Sequence, residues 1–135
     1  MSSLASGAES LDSQFLARSV TYEMMGDRVV LIGREAPTMT TVDDWGQLVF
    51  LAADGEHTVG ELIVHLGKQY AGGTPKELPE QVRHIVRDMV KSGFLALRPA
   101  RTPLPYYLSM PMSLQDKQRT KQLMESDGFM RRAAK

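Results

Sequence analysis

The sequence contains no cysteine, which excludes a disulfide framework, a thiolate nucleophile and a thiolate metal centre and fits a reducing compartment. No apolar run approaches the roughly 18 residues that a membrane-spanning helix needs. The opening, MSSLASGAESLDSQ, has neither a basic nor an apolar segment, so no secretory signal is expected and the expected location is the cytoplasm. Net charge is absent too: 16 Lys and Arg balance 16 Asp and Glu, leaving no overall pull toward nucleic acid or membrane. Gly72-Gly73 is followed by Thr-Pro, not by the Lys-Ser/Thr of a phosphate loop. The Ser and Thr residues lack a His/Asp pattern around a strained elbow. His57, His65 and His84 are scattered, and although Glu61 and His65 stand at i, i+4, no second His follows at ligand spacing. Asp43 and Asp44 are adjacent and share no helix face, so they read as capping groups instead of an acid/base pair. The expectation is a protein that is not an enzyme and uses no cofactor or metal.

What is present is an ordinary globular composition on a chain of 135 residues, 42% hydrophobic and 24% charged, which predicts one folded domain. The charge is unevenly placed. Residues 1–97 carry 8 Lys/Arg against 13 Asp/Glu, and residues 98–135 carry 8 against 3, so an acidic body is followed by a basic tail. Residues 1–18 are expected to be a flexible N-terminal segment, because the first 14 are rich in Ser, Ala and Gly. Ser19–Gly33 predicts a hairpin: Val20, Tyr22 and Met24 alternate, Gly26-Asp27 supplies the turn, and Val29–Ile32 is rich in β-branched residues. Ala36–Val42 predicts a third strand. Trp45–Ala53 predicts a helix, with Trp45, Leu48, Val49 and Ala52 on one face and Asp54-Gly55 as its stop.

Thr58-Val-Gly-Glu61 is a capping box opening a second helix with the stripe Val59, Leu62, Ile63, Leu66 and Tyr70. A third helix covers about Leu78–Ser92, with Leu78, Val82, Ile85, Val86, Met89 and Val90 as its apolar face and Pro79 in its first turn. Phe94–Leu97 predicts a closing strand. From Arg98 four prolines in RPARTPLPYYLSMPM forbid regular structure throughout. Ser113 as N-cap and Asp127-Gly128 as stop bracket a helix predicted over 114–126, whose thin stripe is Leu114, Leu123 and Met124. The tail, with Met110, Met112, Met124 and Met130, fits either packing back on its own domain or docking to a partner.

The predicted fold class is therefore α+β and winged helix-turn-helix-like: a three-stranded antiparallel sheet followed by three helices, with a C-terminal extension over 98–135. LIGREAPTMTTVDDWGQLVFLAADGEHTVGELIVHLGKQY followed by VRHIVRDMVKSGFLAL resembles the PqqD-like family, the leader-peptide recognition domains (RiPP recognition elements) of ribosomal peptide natural-product biosynthesis. The resemblance covers about Ser19–Leu97. It rests on Asp54-Gly55, Thr58-Val59, Glu61-Leu62, Tyr70 and Gly93-Phe94-Leu95 in that order and spacing. Thr40-Thr41 replaces the Leu-Asn pair common in that family, and Trp45 stands where a small residue is frequent. The resemblance implies residues 19–97 as a peptide-binding domain. It would hold the leader of a precursor peptide by strand addition to the third strand, beside the third helix, and present the core to a tailoring enzyme, frequently a radical S-adenosylmethionine enzyme.

On that expectation Thr38, Met39, Thr40, Thr41 and Val42 form the docking edge, since TMTTV has neither charge nor internal proline to blunt it. A proline at Thr40 is expected to remove a docking donor. Val86 and Val90 are expected to offer apolar contact, and Arg83 and Arg87, one turn apart, to meet acidic leader residues. The same run also fits a short strand covered by the chain's own N-terminus or tail, and the two arginines also fit a solvated helix face. A winged-helix DNA-binding protein is the alternative, although the third helix sets Arg83, Arg87 and Lys91 against Glu80 and Asp88. An open sheet edge also leaves room for a homodimer.

Overall fold

The computed structural model describes residues 11–32 and 39–129. Its elements in chain order are β1 (Phe15–Arg18), β2 (Thr21–Met25), β3 (Arg28–Ile32), β4 (Met39–Thr41), α1 (Asp44–Ala52), β5 (Asp54–Thr58), α2 (Val59–Gly67), α3 (Leu78–Lys91), β6 (Leu95–Arg98), two 3₁₀ turns at Tyr106–Leu108 and Met112–Leu114, and α4 (Lys117–Asp127). The fold is α+β, with two small antiparallel three-stranded sheets and four helices among the described residues.

The first sheet, in the order β2-β3-β4, is the one the sequence predicts. Gly26 and Asp27 form a two-residue loop between the paired Met25 and Arg28, and Gly26 takes the left-handed φ of 67° that such a turn requires. Alternation puts Tyr22, Met24, Val29 and Leu31 on the face turned to the helices, where Tyr22 meets Phe50 edge-on at 5.3 Å.

The second sheet, in the order β5-β1-β6, departs from the expectation. Residues 1–10 lie outside the described residues, but 11–18 are ordered by burial: Leu11, Leu16, Ala17 and Arg18 are all buried, and Phe15–Arg18 is the central strand. Both faces of this short strand are covered, which removes the alternation that would have marked it in sequence. Asp54-Gly55 likewise opens β5 instead of merely ending a helix. Gly55 has a φ of 80°, and a Cβ there would collide with the Thr102 carbonyl oxygen, so the glycine serves a close crossing of two chain segments.

The helices follow their sequence signals. Asp43 caps α1 by accepting from the Gly46 N–H at 2.8 Å. The capping box of α2 is complete, with Thr58 Oγ1 accepting from the Glu61 N–H at 3.1 Å and Glu61 Oε1 from the Thr58 N–H at 2.8 Å. α3 buries Leu78, Val82, Val86 and Met89 and packs on α1, α2 and β6. The core gathers these residues with Leu16, Val29, Leu31, Val49, Phe50 and Val59.

The extension packs on this body. Its 3₁₀ turns each follow a proline, Pro105 and Pro111. Tyr107, Leu108 and Met124 form a second small core. The cap of α4 is Asp116, not Ser113, with Oδ1 accepting from the Arg119 N–H at 2.9 Å. Ser113 is used elsewhere: its N–H and hydroxyl both donate to Glu23 on β2 at 2.8 Å. Leu114, expected in the stripe of this helix, is exposed. No helix among the described residues is long and apolar enough to cross a membrane.

Arg18 joins the parts. It is buried, and its guanidinium donates to the carbonyls of Leu108 (2.9 Å), Phe50 (3.2 Å), Leu51 (2.9 Å) and Ser109 (3.3 Å). Burial lowers its pKa from the ordinary arginine value, and neighbouring Tyr22 and Asp54 act in the opposite direction. Phe50 and Leu51 lie in the last turn of α1, where carbonyls lack helical partners and the dipole favours a cation. Arg18→Met should therefore lower unfolding free energy by roughly 3 kcal/mol, because several buried carbonyls lose their donor at once. Arg18→Lys should recover less than half, since one ammonium cannot span the fork. Urea denaturation of the three proteins checks both.

The Glu23 carboxyl is held below its ordinary value by the Met24 N–H and then by Ser113. A depressed acid stabilises the folded state above the unfolded pKa, and that contribution is lost as pH falls through the folded value. Protection of the Ser113 amide, relative to its intrinsic exchange rate at each pH, should thus be high near neutral pH and be lost as pH falls through the depressed Glu23 pKa, below the ordinary glutamate value of 4.5. Glu23→Gln should loosen the turn at neutral pH and abolish the pH dependence, which NMR-detected exchange reads directly.

Candidate functional site

β4 is an edge strand: β3 covers one side, and among the described residues no strand covers the other. Met39, Thr40 and Thr41 are all exposed, Met39 at 65%. The register pairs Val30 with Thr41, Leu31 with Thr40, and Ile32 with Met39.

The hairpin loop fixes which backbone groups of β4 remain free. Residues flanking a two-residue loop form a hydrogen-bonded pair, so Arg28, Val30 and Ile32 aim their backbone groups at β2, and Val29 and Leu31 aim theirs the other way. The Val29 N–H obeys this rule: turned away from β2, it donates to Gln47 Oε1 at 2.8 Å. Leu31 therefore bonds Thr40, while the N–H and C=O groups of Met39 and Thr41 point outward. The expectation that a proline at Thr40 removes a docking donor is thus corrected: Thr40 faces inward, and the outward donors are Met39 and Thr41.

The end of the strand is braced. Arg28 Nη1 donates to the Val42 carbonyl at 2.8 Å, and its Nη2 reaches Asp44 at 3.1 Å. The Gln47 amide donates to the Asp27 carbonyl at 3.0 Å, so α1 holds the loop side of β3 as well. Val42 is half-buried against the main core.

The other predicted residues are placed as follows. Thr38 lies outside the described residues. Val86 is fully buried in the core, so it has no surface to offer a ligand; its neighbour Val90 is half-buried and retains some. Arg83 is held by Asp12 in a two-pronged pair, Nε to Oδ1 at 2.9 Å and Nη2 to Oδ2 at 2.8 Å, with Glu80 at 3.2 Å. These hydrogen bonds raise its pKa above the ordinary value. Arg87 reaches Glu80 at 3.4 Å and stays half-exposed. The structure thus brings Met39–Val42 together as one edge, while Arg83 serves to clamp the segment before β1. Sequence carried no signal for that clamp, since Asp12 is 71 residues from Arg83.

No protein-family model, curated protein or solved structure matches the chain.

Chemically the site offers four outward backbone groups and few charges. Among the described residues no group of three or more His, Asp or Glu is arranged to hold a metal, and no buried side-chain nitrogen or oxygen lacks a partner. Of the two predicted arginines, only Arg87 has a loosely held guanidinium. Asp12→Ala should cost about 1 kcal/mol, as a partly screened ion pair does, and should speed amide exchange over Leu11–Gln14 without moving the α3 resonances beyond Arg83. Equilibrium unfolding with site-resolved exchange measures both.

Proposed function

We propose that the protein is a non-catalytic peptide-binding module of the PqqD-like, winged helix-turn-helix-like kind. It captures the leader of a ribosomally made precursor peptide in the cytoplasm and presents it to a tailoring enzyme of the radical S-adenosylmethionine class. The observation that carries this reading is β4: three consecutive exposed residues on a sheet edge, with Met39 and Thr41 turning their backbone groups outward. A leader strand laid alongside would gain main-chain hydrogen bonds at alternate residues and read side chains in between. The resemblance over Ser19–Leu97 supplies the ligand class; the edge supplies the means.

The competing reading, a winged-helix DNA binder, is weakened by the state of α3. Arg83 is spent on Asp12 and Glu80, and Arg87 shares Glu80, so of the three basic residues on the helix Lys91 alone has no ion pair among the described residues, less than the basic face that a groove-reading helix needs.

A cognate leader should bind at micromolar affinity or better, about −8 kcal/mol, with NMR shifts concentrated in Met39–Val42 and the half-exposed face of α3. Thr41→Pro removes an outward donor at an edge position that tolerates proline. It should weaken binding at least tenfold with little loss of stability. Thr40→Pro breaks the bond to Leu31 and should destabilise the sheet itself. If Thr41→Pro binds the leader as the wild type does, strand addition at β4 is wrong.

A further inference from the structure

The helices α1 and α2 leave a trough between them. Trp45, Leu48 and Ala52 form one wall and Leu62, His65, Leu66, Gln69 and Tyr70 the other, around a hollow of about 340 Å³. It runs on past Ala52 and Leu62 into a second hollow of about 290 Å³ lined also by Asp54, His57, Glu61 and His65, where His57 Nδ1 lies 2.9 Å from Asp54 Oδ2. The floor is apolar and its rim keeps Leu48 and Tyr70 49% and 38% exposed. Acidic residues outnumber basic ones nearby: from residue 43 to residue 67 the chain holds Asp43, Asp44, Asp54, Glu56 and Glu61 and no Lys or Arg, although Asp44 pairs with Arg28, Asp54 with His57, and Lys68 follows.

The extension carries the complement. Leu114 is 70% exposed, more than any other large apolar side chain among the described residues. It cannot retreat, because its turn is fixed on both sides. Ser113 is tied to Glu23, and the next residue, Gln115, is buried with its amide donating to the Tyr107 and Met110 carbonyls at 3.0 and 2.8 Å. Lys117, Arg119 and Lys121 follow, all exposed, and none of the three forms an ion pair among the described residues. A fixed apolar knob followed by cations thus stands on a molecule that also carries an apolar trough with an acidic end.

We propose that the occupant of the α1–α2 trough is a second copy of this chain, which inserts Leu114 and sets its α4 cations against Asp54 and Glu61. Knob and trough are different surfaces, so the contact is head-to-tail and propagates beyond a dimer as concentration rises. This inference is independent of peptide capture at β4, which uses another edge of the molecule.

Sedimentation velocity on the full chain tests it, at about 10 mM and about 1 M salt, where screening lengths are roughly 30 and 3 Å. Association should grow with concentration at low salt and weaken at high salt. Leu48→Arg disables the trough and Leu114→Asp the knob, and both positions are exposed enough for the fold to survive, which circular dichroism checks. Each variant alone should self-associate at least tenfold more weakly. Mixed together they should form a species that stops at the dimer, since one retains the knob and the other the trough. A wild type that stays monomeric at low salt overturns the proposal. So do folded variants that associate like the wild type, or a mixture that remains monomeric. Association abolished by Thr41→Pro but untouched by the two trough and knob variants would assign it to the β4 edge and equally overturn the proposal.

Discussion

A buried guanidinium is costly unless its nitrogens find acceptors, and each of the three Arg18 nitrogens finds at least one carbonyl, without a carboxylate. Arg18 collects carbonyls from two places, the last turn of α1 and the turn at Leu108 and Ser109. Tyr22 and Phe50 flank it, with the guanidinium carbon 5.2 and 5.7 Å from their ring centroids. One side chain of the central strand of one sheet thereby sets where the first helix ends and where the extension lies. The second small core, built on Tyr107, Leu108 and Met124, is too small to hold residues 104–129 by hydrophobic burial alone. Directional bonds add to it: Arg18 and Glu23 tie the extension to the body, and the Thr102 N–H donates to the Gly55 carbonyl at 2.8 Å just before it.

Much of this architecture was legible in the sequence, and the parts that were not share a cause. The hairpin at Gly26-Asp27, the Asp43 cap, the Thr58–Glu61 box and the stripe of α3 depend on residues within a few positions of each other. Strands β1 and β5 depend on partners far along the chain. Phe15–Arg18 is four residues long with three apolar residues in a row and a buried arginine at its end, too short to show a strand period until β6 and β5 are placed around it. Asp54-Gly55 reads as a helix stop because a left-handed glycine serves a helix end and a close strand crossing equally well.

The candidate edge was legible as composition, since Met39–Val42 carries no charge, but its polarity was not. Which backbone groups face outward follows from the two-residue loop of the preceding hairpin, because that loop fixes register and register fixes alternation. Val86 shows the opposite limit. It belongs to the apolar stripe of α3, and a residue that fills the core cannot also line a groove. Arg83 and Arg87 look equivalent in sequence at i, i+4, yet one is clamped by Asp12 and the other is not.

The central position of β1 also orders events in time. Its partners are residues 54–58 and 95–98, so during synthesis the strand that emerges first waits for the one that emerges last. At ordinary elongation rates that interval is on the order of several seconds. Through it Leu16, Ala17 and the cationic end of Arg18 remain solvated, while the β2-β3 hairpin, which is local, forms in microseconds. The sheet with the widest sequence separation therefore closes last and locks the extension behind it. Nascent chains halted before residue 95 would hold a finished hairpin and a β1 strand that can pair with β5 but not with β6, a half-closed sheet whose lifetime is set by the pace of synthesis.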